Sequence, residues 1–132
     1  MTNIHGIQLF DGLSQGLENV LDLRRARHAL GASNIANADT PGYLAKELPF
    51  DSLLLEVMGA PLAGEAVSVE DRAVETMWER EAPEASLDGN SVVVEEQMLK
   101  MAESRMAYDA AIGFYQKSMS MIRMAARKPG AA

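Results

Sequence analysis

A heptad repeat in the last third of the chain constrains the fold more than any other feature. Its side chains recur in alternating steps of three and four residues, the spacing of the a and d positions of a coiled coil. The series is Met98, Met101, Arg105, Tyr108, Ile112, Tyr115, Met119, Ile122 and Ala126, with one polar member at Arg105. A long helix cannot bury such a stripe alone. The repeat therefore predicts a long helix that packs against a partner helix.

Residues on either side of the repeat predict where this C-terminal helix begins and ends. Ser91 is a candidate N-cap, and Glu95 and Glu96 would lie near the positive end of the helix dipole. Pro129 and Gly130 follow the repeat, and we expect them to end the helix because proline cannot continue it.

The N-terminal third predicts a second long helix, from about Phe10 to Ala38. Leu13, Leu17 and Val20 follow a helical spacing, and Pro41 stops the helix by disfavouring helical backbone at the residue before it. This helix is the obvious partner for the heptad repeat in a helical hairpin. Other copies of the chain are equally good partners.

The middle of the chain is strongly acidic. Between residues 65 and 96, ten acidic and two basic residues give a net charge of −8, whereas the whole chain carries −7. This balance argues against a protein that binds nucleic acid without sequence preference, which needs a basic surface. Residues 51–58 predict a short helix capped by Asp51 or Ser52. Residues 66–70 alternate like a strand, and residues 74–78 could pair with them as a hairpin.

Together these patterns predict a mainly α fold, in which long N- and C-terminal helices form a coiled-coil-like pair around a small irregular middle with at most a short β-hairpin. We divide the chain into an N-terminal helix and turn (1–43), an acidic middle (44–90) and the heptad helix (91–132). No run approaches the roughly 18 apolar residues that a membrane span needs. The first residues lack the basic and apolar regions of a cleaved secretory signal, so we expect none.

No residue pattern predicts catalysis, a metal site or a cofactor. The absence of cysteine excludes a thiolate nucleophile and a cysteine-ligated metal. His5 and His28 lack a second ligand at metal-binding spacing, and no histidine follows Ser33 to act as its base. The acidic middle is best explained as a solvated surface, because no apolar pocket is evident that would shift a pKa. We therefore predict a protein without enzymatic activity, small-molecule substrate, metal or cofactor.

The most specific motif is ASNIANADTPGY, at residues 32–43. It describes a helix that runs into a tight turn at Pro41 and Gly42. Asn34 and Asn37 lie one helical turn apart, so both amides can share a face and bond to a neighbouring element. Local capping of the helix end is the simpler explanation of the same pair.

This motif resembles the A-S-N-I-A-N-x-x-T-P-G-Y signature of bacterial flagellar rod and hook proteins, and the match is complete. Further segments that resemble the short proximal rod members are 44–50, 87–92 and 95–103, and the chain length also agrees with theirs. Leu44 stands where Lys or Gln is common, and Val93 stands where Asp is common. The resemblance covers about residues 10–50 and 87–127 and leaves out the acidic middle.

The resemblance implies a structural subunit of the flagellar basal-body rod. In that family the terminal helices form the inner coiled-coil layer of a hollow drive shaft, and subunits pass through the flagellar type III export apparatus without a cleaved signal. The implied location is the rod where it spans the periplasm. The implied partners are other copies, other rod proteins, the basal-body protein FliE and the export apparatus. The implied assembly interface comprises Leu13, Leu17, Val20, Ser33, Asn34, Ile35, Asn37, Thr40, Pro41, Gly42, Tyr43, Met98, Met101, Arg105, Tyr108, Ile112, Tyr115, Met119 and Ile122.

Two other functions stay open from the residues alone. A small helical adaptor or export-chaperone-like module could use the heptad repeat, and a metal-dependent hydrolase could use the acidic middle. An adaptor has no need of the complete motif at 32–43, which favours the rod subunit. Gel filtration distinguishes the adaptor from the rod subunit, because an adaptor gives a defined small oligomer and a rod subunit gives a monomer or an open-ended polymer.

Overall fold

The computed structural model describes residues 4–84, 86–127 and 130, and most of these residues are helical. The elements are α1 (Ile4–Ala36), β1 (Lys46–Glu47), α2 (Phe50–Gly59), a 3-10 helix (Ala60–Ala63), α3 (Val69–Thr76), β2 (Trp78–Glu79) and α4 (Val94–Ala126). The predicted mainly α fold with two long terminal helices is confirmed. None of the helices in these ranges is both long and apolar enough to cross a membrane.

The two long helices, α1 and α4, pack side by side in antiparallel directions. Near one end, the side-chain amide of Asn34 donates a hydrogen bond to Oε1 of Gln97 at 3.2 Å. Farther along, the hydroxyl of Tyr115 donates to Oε1 of Glu18 at 2.9 Å. Residue numbers therefore rise along α4 as they fall along α1, and the predicted helical hairpin is confirmed.

The face of α4 that packs against α1 is rotated away from the predicted heptad series at its first turns. Gln97 and Ser104 are buried, whereas Met98 and Arg105 next to them are exposed. Within one chain, Met98 and Arg105 therefore do not pack against α1, and their place in an interface with other copies stays a prediction. Glutamine and serine occupy less space than methionine and arginine, and Arg105 pairs instead with Asp109 on the surface at 3.3 Å.

A small apolar core lies where α2 and α3 cover α1. Its buried members are Leu23, Leu53, Val57 and Val69. The half-buried side chains packed around them are Leu48, Phe50, Leu54 and Val67. On the same flank of α1, the buried amide of Asn19 donates to the backbone carbonyl of Val57 at 3.0 Å. Helix α1 is therefore held between α2 on one side and α4 on another.

Two glycines allow α1 to lie close to α2 and the 3-10 helix. A Cβ atom at Gly16 would lie 2.9 Å from the carbonyl oxygen of Met58, and one at Gly12 would lie 2.8 Å from that of Pro61. Both obstacles are backbone atoms, which cannot move aside as the end of a flexible side chain can. These two positions therefore require glycine for the observed packing.

The strand prediction for residues 66–70 is wrong, because a helix begins within that segment. Ser68 is the N-cap of α3, and its hydroxyl accepts a hydrogen bond from the backbone N–H of Asp71 at 3.3 Å. Glu70 and Asp71 lie in the first helical turn, where negative charge complements the helix dipole. Capping and charge thus override the alternating pattern of hydrophobicity.

The two-stranded antiparallel sheet is formed by residues that are distant in sequence. Lys46 lies opposite Glu79, and Glu47 lies opposite Trp78. The predicted hairpin between residues 66–70 and 74–78 is therefore wrong in its pairing.

Several helix ends also differ from the predictions. Helix α1 begins at Ile4 rather than Phe10 and ends at Ala36 rather than Ala38, where a turn follows. Helix α2 has Pro49 at its N-cap position without a side-chain hydrogen bond, so neither predicted cap is correct there.

At the start of α4, Val93 occupies the N-cap position without a side-chain hydrogen bond, so the prediction of Ser91 as the cap is wrong. The helix ends at Ala126. Pro129, the predicted stop, lies outside the described residues.

We predict opposite effects for two Gly→Ala substitutions in helices. Gly16→Ala should lower the free energy of unfolding by about 1–3 kcal/mol, because the new Cβ meets a backbone oxygen. Gly113→Ala should raise it by about 0.5–1 kcal/mol, because α4 has open space there and alanine favours helix. Urea unfolding followed by circular dichroism measures both, and a stabilising Gly16→Ala would contradict the close approach of α1 and α2.

Candidate assembly site: the junction of the terminal helices

The two segments that flank the acidic middle meet at one end of the α1–α4 pair. We call this contact, between residues 34–46 and residues 86–97, the junction. Its first segment carries most of the motif at 32–43, and its second leads into α4. Hydrogen bonds from backbone and side chains join the two segments directly.

Asn34 is the centre of the junction and is only 1% exposed. Its Nδ2 donates to the carbonyl oxygen of Lys46 at 2.9 Å and to Oε1 of Gln97 at 3.2 Å. Its Oδ1 accepts from the backbone N–H of Lys46 at 2.9 Å and from the hydroxyl of Tyr43 at 3.1 Å. The amide thus uses both donors and both acceptor positions. One side chain thereby joins α1, the strand β1 and the first turn of α4.

Asn90 binds the C-terminal end of α1 from the opposite segment. Its Nδ2 lies 3.0 Å from the carbonyl oxygen of Asn37, 2.9 Å from that of Ala38 and 2.8 Å from that of Thr40. A helix C-terminus leaves carbonyl groups without partners inside the helix, and this amide satisfies several carbonyls just beyond it. Oδ1 of Asn90 accepts from the backbone N–H of Val92 at 2.7 Å, which fixes the amide in place.

The two turns of the junction lie against each other through glycines. Gly42 has a φ of 72° and Gly89 a φ of 71°, a region that side-chain-bearing residues rarely adopt. The backbone N–H of Gly42 donates to the carbonyl of Asp88 at 2.7 Å. The N–H of Ser91 donates to the carbonyl of Tyr43 at 3.0 Å, so the two segments run together beyond the turns.

Ser91 binds the chain between the turn and β1 rather than capping α4. Its hydroxyl accepts a hydrogen bond from the backbone N–H of Ala45 at 2.7 Å, and both residues are buried. The carbonyl of Ala45 accepts from the N–H of Arg80 at 2.8 Å. The junction is therefore continuous with the small sheet.

Four charged side chains form a network beside the junction. Arg80 lies 2.7 Å from Glu96, and Lys100 lies 2.8 Å from Glu96 and 3.0 Å from Glu47. The hydrogen bond from Lys100, and then that from Arg80, lowers the pKa of the Glu96 carboxyl. Burial lowers the pKa of Lys100, but the hydrogen bonds to Glu96 and Glu47 outweigh it, so the pKa is raised.

Asn37 does not share the role of Asn34. Its Nδ2 donates to the carbonyl of Ser33 at 2.8 Å, and its Oδ1 accepts from the hydroxyl of Thr40 at 3.3 Å. Both partners belong to the same turn. The side chain of Asn37 therefore makes local capping contacts, the simpler of the two explanations that the sequence allows for this pair. Only its backbone carbonyl reaches the other segment, through Asn90.

The other residues of the implied interface differ in their exposure. Val20 is buried, and the half-buried ones are Leu13, Leu17, Ile35, Tyr43, Met101, Tyr108, Ile112, Tyr115, Met119 and Ile122. Those with exposed side chains or, for glycine, exposed backbone are Ser33, Thr40, Pro41, Gly42, Met98 and Arg105. The structure therefore brings the half-buried members of α4 toward α1 and leaves the turn residues at the surface.

An apolar surface that the sequence analysis missed lies on α4, away from α1. We call it the outward face of α4, and its residues are Leu99, Met106, Phe114, Met121 and Met124, each 49–74% exposed. On a helix of 3.6 residues per turn these positions project opposite Met101, Tyr108 and Ile122. A second apolar series, at steps of seven, eight, seven and three residues, was the signal that could have revealed it.

The junction holds the chain together through hydrogen bonds between its two segments. Its hydrogen-bonding groups mostly bond to one another, but Nε2 of the buried Gln97 has no partner among the described residues, and Glu95 forms no ion pair there. In the part of the chain that the structure describes, no three His, Asp or Glu side chains converge where a metal ion could bind.

We predict that the two asparagines of the motif tolerate aspartate very differently. Asn34→Asp removes two buried donors and turns a carboxylate toward two oxygen acceptors, so the free energy of unfolding should fall by at least about 1–3 kcal/mol. Asn37→Asp, the matched control, loses one donor at an exposed turn and should have a smaller effect. Urea unfolding of the two single variants measures the difference, and equal losses would contradict the central place of Asn34.

We predict that Glu96 stabilises the fold in a pH-dependent way. Its carboxyl pKa is lower in the folded protein than the roughly 4.3 of an unfolded chain, so its contribution is complete above that value. The contribution is lost as the pH falls through the lower folded pKa. Glu96→Gln should therefore reduce stability at pH 7, and its effect should become progressively smaller as the pH is lowered below about 4.3, measured by urea unfolding.

Glu95 provides the control for this titration, because it is exposed and forms no ion pair within the described ranges. Glu95→Gln should change stability by a similar small amount throughout this pH range. A pH-independent effect of Glu96→Gln would show that its network of ion pairs contributes nothing measurable.

Comparison with known proteins connects this geometry to a family. A model of the family described as "Flagella basal body rod protein" matches residues 22–43, which include Asn34, Asn37 and the turn at Pro41 and Gly42. The match thus covers the α1 side of the junction.

Relatives extend the similarity over most of the chain. The "Flagellar basal body rod protein FlgB" of Salmonella typhimurium is 33% identical over 109 residues, covering 72% of this chain and 78% of that protein. The proteins of the same name are 29% identical in Bacillus subtilis, over 80% of this chain and 86% of theirs, and 30% identical in Escherichia coli, over 72% and 78%. The chain belongs to the family of flagellar basal body rod proteins of the FlgB type.

Proposed function

We propose that this chain is a structural subunit of the flagellar basal-body rod and polymerises with other copies through its α1–α4 pair. The observation that carries the proposal is the outward face of α4, an apolar surface on a helix whose other side is already packed. The chain acts by forming contacts, without catalysis. Membership of a family named for the rod supports the location and the structural role.

The outward face has the composition of a surface that is covered in the working protein. Large apolar side chains scattered singly on a surface are ordinary, but here five of them lie along one face of a single helix. Leu99, Met106 and Phe114 are each at least 60% exposed. A helix that is apolar on two opposite sides is typically buried on both. A second helix, supplied by another subunit, would cover this face.

The free end of the helical pair adds to this surface. Ile7, Leu9 and Phe10 are exposed on α1, at the end where the antiparallel arrangement also places Met121 and Met124. Each subunit therefore has two different apolar surfaces. One is the end of α1 with Ile7, Leu9 and Phe10, and the other is the outward face of α4. Contacts between unlike surfaces do not close on themselves and generate helical polymers, as a hollow rod requires.

The partners follow from the same proposal. Subunits of the rod meet other copies, other rod proteins and, at the membrane side, the basal-body protein FliE. The chain reaches the periplasm through the flagellar type III export apparatus. The complete motif at residues 32–43 and the family membership support these partners.

We predict that a charge on the outward face prevents assembly without unfolding the chain. Met106→Glu places a carboxylate where the side chain is 74% exposed, so the helical content of the purified protein should stay unchanged. In cells, the amount of the chain in purified basal bodies and the motility should fall, because assembly would bury the charge. Gln116→Glu, the control, adds the same group at an exposed polar position of α4 and should leave both unchanged.

Ile112→Asp tests the other side of α4. Ile112 is half-buried on the side of α4 that packs against α1. This change should therefore lower the free energy of unfolding by about 2–5 kcal/mol and also reduce the amount of the chain in basal bodies. Normal incorporation of the Met106→Glu chain would show that the outward face is not an assembly surface. A defined small oligomer in gel filtration, with no chain in basal bodies, would favour the adaptor instead.

A further inference from the structure

The outward face of α4 has the same order of side-chain types from either end. Ala110, which is exposed, lies at its centre, and the residues on the two sides form matched pairs at equal distances from it. Leu99 and Met121 are each eleven residues away, and Met106 and Phe114 are each four residues away. All four apolar side chains are 49–74% exposed. The face is therefore symmetric in its apolar side chains about one small residue.

Two charged side chains complete this symmetry. Glu103 lies seven residues before Ala110, and Lys117 lies seven residues after it. Both are exposed, and neither forms an ion pair within the residues that the structure describes. With 3.6 residues per turn, all seven matched positions between Leu99 and Met121 fall within a sector of about 80° on the helix. The two charges therefore lie in line with the apolar side chains, with opposite signs at equal distances from the centre.

The positions of these charges distinguish between the two ways in which the face can meet a second copy of itself. In an antiparallel pair centred on Ala110, each Glu103 meets the Lys117 of the other copy. The apolar side chains meet apolar side chains in the same arrangement. In a parallel pair in register, like charges meet, which opposes the contact. We propose that two unassembled copies of the chain pair in antiparallel directions through the outward faces of α4.

Small residues near the centre allow the two helices to lie close together. Ala110 carries a single methyl group, and a Cβ atom added at the nearby Gly113 would have no neighbour within 4 Å. Met106 and Phe114 supply large apolar side chains on either side, and methionine adapts its shape to its neighbours. The matched stretch between residues 99 and 121 is about 33 Å long, so the contact extends over about six turns of each helix.

This pair goes beyond the proposed function. A face that binds its own copy forms an isologous contact, which closes at two subunits and adds no third. The same face cannot be covered at once by a second copy in the pair and by a neighbour in the rod. Pairing therefore competes with polymerisation and covers the apolar face in chains that have not yet assembled. This competition rests on the proposed function, whereas the pair itself does not.

Reversal of the two charges tests the pair. Sedimentation equilibrium of the purified chain measures the dissociation constant of the dimer. Glu103→Lys alone and Lys117→Glu alone should each raise this constant about tenfold, because the two-fold symmetry places two like-charge contacts in every pair. The double variant Glu103→Lys, Lys117→Glu exchanges the charges and should restore the wild-type constant. Both positions are exposed, so circular dichroism should show the same helical content in all four proteins.

Single cysteines test the direction of the pair, because the chain has no cysteine of its own. Mild oxidation should link two chains that carry Ala110→Cys, since the two cysteines face each other at the centre. The control is Met106→Cys, at an exposed position of the same face. In the antiparallel pair its two cysteines lie eight residues apart along the helices, or about 12 Å, which is too far for a disulfide.

A wild-type chain that remains monomeric up to about 1 mM, where even weak pairing is populated, would overturn the proposed pair. A double variant that pairs as poorly as the single variants would do the same, as would equal linkage of the Met106→Cys and Ala110→Cys chains. Open-ended polymers without a dimer would overturn the closed pair and leave polymerisation standing. A dimer with these properties, together with absence of the chain from purified basal bodies, would support the pair and overturn the proposed function.

Discussion

The side chain of Asn34 is the interaction on which the rest of the structure depends. It fills both donor and both acceptor positions of a buried amide and in doing so binds β1, the turn through Tyr43 and α4 through Gln97. No other side chain of similar size offers two donors and two acceptors in one plane, because aspartate lacks donors and serine has a single hydroxyl. Once this amide is satisfied, α4 is anchored at its first turn and must run back along α1.

That geometry leaves one face of α4 without a neighbour in the single chain. Helix α1 has neighbours on two sides. Gly12 and Gly16 allow the 3-10 helix and α2 to lie close to it on one side, and α4 packs along another. Helix α4 has α1 on one side and solvent on the other, although its residues are apolar on both. Folding within one subunit therefore leaves the outward face of α4 uncovered, and the proposed assembly would complete its burial.

Sequence reasoning reached the helical pair because a four-heptad repeat permits few alternatives, and it reached Asn34 because the motif at 32–43 is specific. It failed at the first turns of α4, because the predicted series with Met98 and the outward series with Leu99 are only one residue apart, and periodicity alone cannot separate them. It also failed on the sheet. The pairing of Lys46 with Glu79 depends on contacts that Asn34 and Ala45 make with distant residues. The alternation of hydrophobicity within a short segment cannot predict contacts between distant segments.

Amide hydrogen exchange of the purified monomer tests the central claim most directly. The backbone N–H of Lys46 donates to a side chain, Oδ1 of Asn34, and that of Ala45 donates to Ser91, so their protection reports on the junction rather than on a regular helix. The account predicts that these two amides exchange slowly, together with those of the first turns of α4, and more slowly than the amides of residues 112–126. Exchange of the Lys46 amide at the rate of an unstructured peptide, while residues 112–126 stay protected, would contradict it.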